Sequence, residues 1–223
     1  MESIYTMVSG YRFVKDFWMN SYVMSREIDG MNSYSREARK SLINLRLYRS
    51  FRTDMDLLIW YSSDDLHAIL SVKEKYASIL GRYADSVYSS LSIYDQSPYM
   101  NGRKSLRDNL NQEPLEYFVA YPMSKSPEWY LLDYDERKEI MMDHIRSAMS
   151  NPEQDGIRSY TTYSFGIGDQ EFVVLYEVPD LVKWSHVTEK LREARARKWI
   201  SKETPILIGM YSDPLNFEFL SIH

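Results

Sequence analysis

Residues 120–144, AYPMSKSPEWYLLDYDERKEIMMDH, bring a phenol, an amine and an imidazole into one short stretch of chain. Tyr121, Met123 and Lys125 alternate, so their side chains share one face if the apolar run is a strand that continues through Pro122. Proline is confined to strand ends, edges and bulges, which leaves a second interpretation in which Lys125 lies in a loop and points to water. On the first interpretation Lys125 faces a cavity, where its pKa is lowered unless an anion offsets the burial.

The same stretch ends in a histidine on the apolar side of a predicted helix. Ile140, Met141, His144, Ile145 and Ala148 have the spacing of an amphipathic stripe. Neutral imidazole is the commonest protein ligand for metals, but the chain has only four histidines and no HxxxH or HExxH pattern that would supply a second ligand. A single protein ligand is typical of haem, in which the porphyrin supplies the other donors. The alternative is a hydrogen-bonded core histidine.

Composition limits what else the 223-residue chain can be. It has no cysteine, which excludes disulfides, thiolate metal ligands and a cysteine nucleophile. A net charge of −5 argues against a protein that holds nucleic acid, and no apolar run approaches the roughly 20 residues that span a bilayer. The first ten residues lack a basic segment followed by an apolar one, so we expect a cytoplasmic protein without a membrane partner. Nineteen tyrosines, five tryptophans and twelve methionines suit either aromatic core packing or redox chemistry beside a flat aromatic cofactor.

The chain contains an internal repeat that predicts the fold. Residues 54–66, DMDLLIWYSSDDL, align without a gap on residues 169–181, DQEFVVLYEVPDL, at a constant shift of 115 (169 − 54). In each copy an acidic turn leads into a continuous apolar run that is typical of a buried strand, and an aspartate then begins a helical pattern. A strand and a helix precede each copy and a strand follows it, which is the element order of a ferredoxin-like unit.

Two ferredoxin-like sheets within one chain can bury each other's exposed faces. We therefore predict an α+β fold in which two ferredoxin-like repeats form a dimeric-type α+β barrel within one chain, with the sheets inside and the helices outside. Residues 1–96 are the predicted N-terminal repeat, the polar residues 97–113 the linker, and residues 114–223 the C-terminal repeat, which carries the candidate site. Two independent α+β domains would give the same period and are the alternative.

Several of these segments resemble a known family. The pentad YPMSK, the Trp-Tyr pair at 129–130, the helix DERKEIMMDH and the segment SFGIGDQEFVVLYEVPDLVKW are similar to the coproporphyrin-haem decarboxylase branch of the chlorite dismutase family. The resemblance covers most of the chain and is strongest from 107 to 210. It implies the doubled ferredoxin-like barrel, haem in the C-terminal half and a homopentamer.

The resemblance also implies a role for each candidate residue. Tyr121 matches the tyrosine that is oxidised to a radical and takes hydrogen from a propionate, and Lys125 matches the lysine that holds and protonates that propionate. His144 matches the proximal iron ligand. Met123 matches a methionine of the same wall, and Arg107 matches an arginine that anchors propionate charge.

Two positions depart from the family pattern. Ser159 stands where decarboxylases have a distal glutamine and chlorite dismutases an arginine, and a slip of one residue would bring Arg158 there instead. Serine cannot polarise an oxyanion as arginine can, so chlorite breakdown is not expected. Arg195 stands where the family has a serine that contacts a propionate, within the basic run 190–198. That run is either the solvated face of a helix or a rim from which Arg195 or Arg197 binds a propionate.

The residues and the resemblance together lead to three hypotheses. The first is a haem-dependent oxidoreductase that uses hydrogen peroxide to convert coproporphyrin-haem, its substrate and cofactor, to haem b by oxidative decarboxylation. The second is a haem-binding protein or weak peroxidase of the same family without a biosynthetic role. The third is a non-catalytic assembly protein that holds no haem. The expected partners are an iron porphyrin, hydrogen peroxide and further copies of the chain, with no nucleic acid.

Overall fold

The computed structural model describes residues 3–99 and 105–217 and contains the predicted alternation of strands and helices. The first half contains, in chain order, β1 (Ile4–Phe13), α1 (Lys15–Met19), α2 (Ser21–Ala38), β2 (Asn44–Ser50), β3 (Leu57–Ser63), α3 (Leu66–Leu80), a 3₁₀ turn (Gly81–Tyr83) and β4 (Ala84–Tyr94). The second half contains α4 (Leu106–Leu110), β5 (Tyr117–Lys125), α5 (Pro127–Leu131), α6 (Tyr134–Met149), a 3₁₀ turn (Pro152–Gln154), β6 (Arg158–Tyr163), β7 (Phe172–Val178), α7 (Leu181–Leu191), a second 3₁₀ turn (Arg195–Trp199), β8 (Ile200–Lys202) and β9 (Leu207–Tyr211). Every helix within these ranges is too short or too polar to cross a bilayer.

Eight of the strands close into one antiparallel barrel. Their order is β7-β6-β4-β1-β3-β2-β9-β5, and β5 pairs in turn with β7, while the short β8 extends the sheet beside the end of β5. The two halves meet where β4 pairs with β6 and where β2 pairs with β9. The predicted barrel of two ferredoxin-like repeats is therefore confirmed. The alternative of two independent domains is wrong, because hydrogen bonds join strands of both halves into one sheet.

The internal repeat corresponds to equivalent elements. Strands β3 and β7 begin and end 115 residues apart, and so do the first residues of α3 and α7 (181 − 66). Asp65 Oδ1 accepts a hydrogen bond from His67 N at 2.9 Å, and Asp180 Oδ1 accepts one from Val182 N at 2.7 Å. A capping carboxylate satisfies an otherwise unpaired amide and interacts favourably with the helix dipole. The repeated aspartate thus determines where each helix begins.

The acidic turn of each copy holds the end of a neighbouring strand. The Asp56 carboxylate accepts a hydrogen bond from Phe13 N at 2.7 Å, and Glu171 accepts the equivalent bond from Lys125 N at 2.7 Å. Phe13 on β1 and Lys125 on β5 are therefore equivalent positions, at a shift of 112 (125 − 13). These two acids have a structural role in both halves.

Strand registers extend this equivalence across both sheets. Ser9 pairs with Ile59, and Tyr121 pairs with Val174, which lies 115 residues after Ile59. The registers of β2 on β3 and of β6 on β7 align in the same way. The resulting pairs on the outer faces are Ser9 with Tyr121, Tyr11 with Met123, Phe13 with Lys125, Leu45 with Ser159, Leu47 with Thr161, Tyr61 with Tyr176 and Ile69 with Trp184.

The barrel interior is filled by side chains from both sheets. Tyr48, Trp60 and Phe118 are each fully buried there. The Phe118 ring stacks on Tyr48 with 4.6 Å between centroids and on Trp60 with 5.3 Å. Burial of large aromatic side chains supplies much of the hydrophobic stabilisation of such a core. Part of the unusual aromatic content therefore serves packing.

The outer faces of the two halves are covered differently. In the first half Leu45, Leu47 and Ile69 belong to one buried cluster of strand and helix residues. The second-half cluster consists of Trp129, Ile140, Ala196 and Trp199, which all lie on helices or 3₁₀ turns. Within the described chain, α6 contributes no residue to a buried cluster with the strands, and Ile140 is its one fully buried residue. The outer face of the second sheet is therefore less tightly covered by its helices than that of the first sheet.

The segment between the halves is anchored rather than featureless. Helix α4, which the sequence did not predict, packs Leu106 and Leu110 into the barrel interior. Arg46 Nη2 donates to the backbone oxygens of Leu110 at 2.7 Å and Gln112 at 2.5 Å, and Arg46 also forms an ion pair with the fully buried Glu177. Because breaking a buried ion pair leaves an uncompensated charge, this pair fixes the linker against the barrel.

Candidate functional site

Strand β5 continues through its proline to Lys125. Pro122 lies in the interval between the residues that pair with β9 and those that pair with β8. A ladder donor is therefore not required from Pro122 on that side of the strand. The interpretation in which Lys125 lies in an exposed loop is wrong, because this residue ends the strand and is almost fully buried.

Alternation along β5 determines which side chains face outward. Phe118 and Ala120 belong to the barrel interior, so Tyr121 and Met123 project from the outer face toward the helices. Both outward side chains are half-buried. The equivalent residues Ser9 and Tyr11 are fully buried in the first half.

Strand β6 presents short hydroxyl side chains to the same outer face. Ser159 and Thr161 are exposed, whereas Tyr160 lies in the barrel interior. Arg158 faces the other way and donates to Glu177 Oε2 at 3.2 Å. The structure thus places Ser159, and not Arg158, on the outer face.

At the positions of the first half that are equivalent to Ser159 and Thr161, the chain has leucines instead of short hydroxyl side chains. Leu45 and Leu47, the equivalents of Ser159 and Thr161, are buried under the first-half helices. We call the corresponding space of the second half the candidate pocket. It is bounded on the strands by Tyr121, Met123, Ser159, Thr161 and Tyr176.

Lys125 has only 8% of its surface exposed. Its Nζ lies 4.1 Å from the centroid of the Trp129 ring, within the range of a cation–π interaction. Burial is the largest cause of a lowered pKa of about 8; Glu203 acts against the lowering and Arg197 adds to it. The amine is therefore partly neutral in weakly alkaline solution, in agreement with the lowered pKa predicted for a lysine that faces a cavity.

His144 is half-buried on α6, and its Nδ1 atom is buried. This nitrogen has no hydrogen-bond partner among residues 3–99 and 105–217. Burial is the largest cause of a lowered imidazole pKa, and the charges of Lys125 and Arg197 lower it further. The neutral ring that results is the form that binds metals. The alternative of a hydrogen-bonded core histidine does not describe a ring whose Nδ1 is unpaired.

One half-buried carboxylate acts electrostatically on these groups, and sequence reasoning missed it. Glu203 follows β8 and forms ion pairs with Arg192 at 2.9 Å and with Arg197. Burial raises the pKa of Glu203, but the two arginines lower it by more, so the carboxylate is ionised at neutral pH. The sequence signal was slight, a single acid in the polar segment SKETP at 201–205.

The charge of Glu203 reaches three of the predicted site residues. It raises the pKa of Tyr121, of Lys125 and of His144, although each of these shifts has burial as its largest cause. The three side chains therefore share the influence of one carboxylate charge. Arg197, rather than Arg195, is the arginine of the basic run that acts on Lys125 and His144.

Tyr121 has a second aromatic partner on the outer face. Its hydroxyl donates to the Tyr176 hydroxyl at 3.5 Å, and the two rings stack with 6.0 Å between centroids. Burial is the main cause of the raised pKa of both phenols, so both are protonated at neutral pH. Sequence reasoning aligned Tyr176 with Tyr61 but did not place it at the site.

Two predicted propionate contacts lie elsewhere. Arg107 Nη2 contacts the Asp64 carboxylate at 2.5 Å, just beyond the end of β3, and β2 and β9 separate β3 from β5 in the barrel order. Arg195 Nη1 pairs with Glu139 at 3.1 Å, and both side chains are largely exposed. The described contacts of Arg107 and Arg195 therefore do not bring either residue to Tyr121.

Comparison with known proteins identifies the family. The model of the chlorite dismutase family matches residues 24–212. The chain belongs to the chlorite dismutase family. Within this family, a protein from Mycolicibacterium smegmatis named coproheme decarboxylase is 30% identical over 160 residues, which are 71% of this chain and 68% of that protein.

Solved structures related to this chlorite dismutase family member agree with the fold. The protein TA0507, provisionally named a chlorite dismutase, is 52% identical, with a TM-score of 0.89 over 96% of this chain and 97% of that chain. A structure described as a haem-binding protein from Thermus thermophilus is 18% identical, with a TM-score of 0.82 over 96% of this chain and 93% of that chain. At that identity the second likeness concerns the fold alone.

Two shallow grooves on the surface of this family member lie away from the candidate pocket. One lies between α2 and α3 and includes His67, and the other lies between α6 and α7 and includes His186. Neither groove contains Tyr121, Lys125 or His144. No group of three or more metal-ligating residues occurs in the described ranges, so a metal bound by several protein side chains finds no site there.

Proposed function

We propose that the chain is a haem-binding enzyme that uses hydrogen peroxide to remove carboxyl groups from coproporphyrin-haem. The observation that carries the proposal is that Tyr121 and Lys125 share the outer face of β5, and that both, like His144, are influenced by the charge of Glu203. The coproheme decarboxylase name of the 30% identical relative supports the same substrate. We extend the proposal to the homopentamer and the cytoplasmic location that the sequence led us to expect.

The residues of the candidate pocket suit an iron porphyrin. His144 offers a neutral imidazole with a buried, unpaired Nδ1, and a partner for it would remove a cost of about 1–3 kcal/mol. A metal-bound histidine commonly donates its second ring nitrogen to a carboxylate, and the carboxylates whose charges act on His144 are Asp143 and Glu203. The open outer face offers Met123 and half-buried rings against which a flat macrocycle can pack.

Tyr121 is the proposed acceptor of hydrogen from a propionate. Iron porphyrin with peroxide supplies two oxidising equivalents for each carboxyl group lost. Once oxidised, the Tyr121 phenoxyl oxygen takes a hydrogen atom from the β-carbon of the propionate and becomes a phenol again. Loss of one further electron and of CO₂ leaves a vinyl group. The raised pKa of Tyr121, caused mainly by burial, keeps the phenol protonated between turnovers.

Lys125 is the proposed partner of the propionate carboxylate. A charge-assisted hydrogen bond from its ammonium would orient the propionate toward Tyr121. With a pKa of about 8, the amine can also take up or release a proton near neutral pH. Met123 and Ser159 are proposed as further wall contacts. Arg107 and Arg195 are not included, because their ion pairs hold them with Asp64 and Glu139.

A weak peroxidase without decarboxylase activity is the second candidate. It is favoured by the short hydroxyls of Ser159 and Thr161, the residues that β6 presents to the candidate pocket. Arg158 is turned to Glu177 on the opposite face and does not supply a cation to polarise a bound oxyanion. The same observation argues against chlorite breakdown.

Titration of the haem-free protein with coproporphyrin-haem, followed by peroxide and mass spectrometry, tests the proposal. The expected result is stepwise loss of two carboxyl groups in the wild type, and unchanged porphyrin mass with intact binding in Tyr121→Phe. Tyr61→Phe, which alters the first-half equivalent of Tyr176, is the control and should behave as the wild type. Binding without any loss of mass favours the second candidate, and absence of binding favours an assembly protein without haem.

A further inference from the structure

We propose that Tyr176 and Trp184 extend from Tyr121 as a path for one-electron oxidation, leading from the candidate pocket into helix α7. The path goes beyond the proposed function, because it assigns two residues on other elements a redox role of their own. Its presence is a property of the polypeptide, whereas its use in turnover rests on the proposed function.

The three rings are in continuous contact. Tyr121 and Tyr176 stack with an interplanar angle of 28° and a hydroxyl–hydroxyl distance of 3.5 Å. The Tyr176 ring lies 4.4 Å, between centroids, from the Trp184 indole, at an interplanar angle of 47°. Tyrosine and tryptophan are the two side chains most readily oxidised by one electron, and transfer between them is fastest at contact distance. Trp184 is half-buried on α7.

The first half of the chain shows that packing does not require this combination. The equivalent positions there are Ser9, Tyr61 and Ile69. Ser9 Oγ lies 3.3 Å from the Tyr61 hydroxyl, so the hydroxyl–hydroxyl contact between Tyr121 and Tyr176 has a counterpart that lacks the ring stacking. All three first-half side chains are buried in a well-packed layer.

The second half retains the central tyrosine and changes its two neighbours to oxidisable rings. A structural role alone would be met by Ser9 and Ile69, as it is in the first half. Two of the three equivalent positions differ between the halves, and in both cases the second half has a ring that can carry a radical. Both rings lie on the side of the sheet that bounds the candidate pocket. This coincidence distinguishes a redox path from ordinary aromatic packing.

Each transfer balances in protons and electrons. An oxidised Tyr121 lacks one hydrogen atom, which the Tyr176 hydroxyl can supply across the 3.5 Å contact. The Tyr176 phenoxyl then takes an electron from the Trp184 indole and a proton from water, which leaves an indole cation radical that loses its own proton to water. A small one-electron donor, a phenol or a thiol, finally returns one hydrogen atom to Trp184. The net reaction is reduction of Tyr121 by one hydrogen atom from the external donor.

Such a path would allow small phenols or thiols to be oxidised at helix α7 rather than inside the candidate pocket. It would also remove oxidising equivalents from Tyr121 when no propionate is in place. The oxidant in turnover is peroxide reacting at bound iron porphyrin. In the absence of porphyrin, any strong one-electron oxidant that reaches Trp184 drives the same transfers in reverse, from indole radical to phenol.

Pulse radiolysis of the haem-free protein in azide solution tests the path directly. Azide radicals oxidise accessible indoles, and transient absorption follows conversion of the indole radical to a phenoxyl radical. The wild type should show a first-order conversion whose rate is independent of protein concentration. Trp184→Phe and Tyr176→Phe should each lose this phase. Trp60 also contacts a tyrosine, Tyr160 at 5.1 Å, but it is fully buried and out of reach of the azide radical.

Two further variants keep the test decisive. Tyr121→Phe should retain the phase, because Tyr176 remains as the acceptor, and Tyr61→Phe should retain it as the matched first-half control. Far-ultraviolet circular dichroism checks that each variant is folded. Persistence of the phase in both Trp184→Phe and Tyr176→Phe overturns the path. Because no porphyrin is present, this result is independent of whether carboxyl groups are lost in the mass-spectrometric experiment.

Discussion

The Nζ atom of Lys125 lies over the Trp129 ring in the position that the Phe13 ring takes over Phe17 in the first half. The separations are 4.1 Å and 4.0 Å. Both pairs cover the end of a strand, and in both a carboxylate from the acidic turn of that half accepts a hydrogen bond from the backbone amide of the last strand residue. The second half therefore has the same packing at this position, with the Lys125 amine in place of the Phe13 ring.

The buried amine predicts a distinctive pH dependence of stability. The pKa of Lys125 is about 8 in the folded protein and about 10.4 in an unfolded chain. The unfolded state therefore binds more protons between these values, and the free energy of unfolding rises with pH in this window. Relative to Lys125→Met, the wild type should gain about 2 kcal/mol between about pH 7 and about pH 9.5. Urea denaturation at several pH values measures the difference, and parallel curves for the two proteins would contradict it.

Replacement of His144 should separate binding from folding. His144→Leu removes the buried, unpaired Nδ1 and should raise the free energy of unfolding of the haem-free protein by about 1 kcal/mol. The same variant should lose coproporphyrin-haem binding in an absorbance titration. His186→Asn is the control, because His186 lies on the exposed side of α7, 3.1 Å from Glu153. Equal affinity of His144→Leu and wild type would exclude His144 as the iron ligand.

Filling the candidate pocket should weaken coproporphyrin-haem binding without unfolding the chain. Ser159→Leu with Thr161→Leu restores the leucines that occupy the equivalent positions of the first half. Each added leucine that becomes buried contributes about 1–2 kcal/mol, so the haem-free protein should be at least as stable as the wild type. Coproporphyrin-haem affinity should fall at least about ten-fold, a change of about 1.4 kcal/mol.

The reciprocal change in the first half is the matched control for this pair. Leu45→Ser should cost about 3–5 kcal/mol, because it opens a cavity in a closed layer. If the leucine pair in the second half destabilised the protein as strongly, the space there would already be filled, and the candidate pocket would have to be abandoned.

The buried charge pair at the linker should matter far more than the exposed one. Glu177→Gln leaves Arg46 and Arg158 without a carboxylate and should lower the free energy of unfolding by about 3–5 kcal/mol. Asp64→Asn breaks the exposed pair with Arg107 and should cost less than about 1 kcal/mol. Urea denaturation of both variants gives the comparison. Similar losses in the two would mean that burial does not govern these ion pairs.

The fold was predictable because the sequence contains two copies of the same structural unit. The gap-free shift of 115 identified β3 with β7 and α3 with α7, and two copies of one unit need each other to cover their sheets. Helix α4 escaped prediction because five residues give too little periodicity to distinguish a helix from a polar loop. The role of Leu106 and Leu110 becomes evident only in the tertiary structure, where both pack into the barrel interior.

The site was predictable at positions where the two halves of the chain differ in residue type. Lys125 and His144 were each identified by a residue type that the equivalent segment of the first half lacks, and Tyr121 by its alternation with Lys125 and by the family resemblance. Glu203 was missed, because its role depends on Arg192 and Arg197 folding back toward β5, which no local pattern encodes. Arg107 was assigned by position alone, and its ion pair with Asp64, a residue 43 positions away, could not be read from spacing.

The loosely covered outer face of the second sheet suggests a division of labour between duplicated halves. A single ferredoxin-like unit that kept such an opening would lose much of the burial that holds it folded. The first half is tightly packed and is hydrogen-bonded to the second half along both edges of the sheet. The second half can therefore accept mutations that widen or reshape its opening, because the first half supplies much of the stability of the fold. Directed evolution for new substrates should therefore tolerate changes around Ser159 and Thr161 and reject them around Leu45 and Leu47.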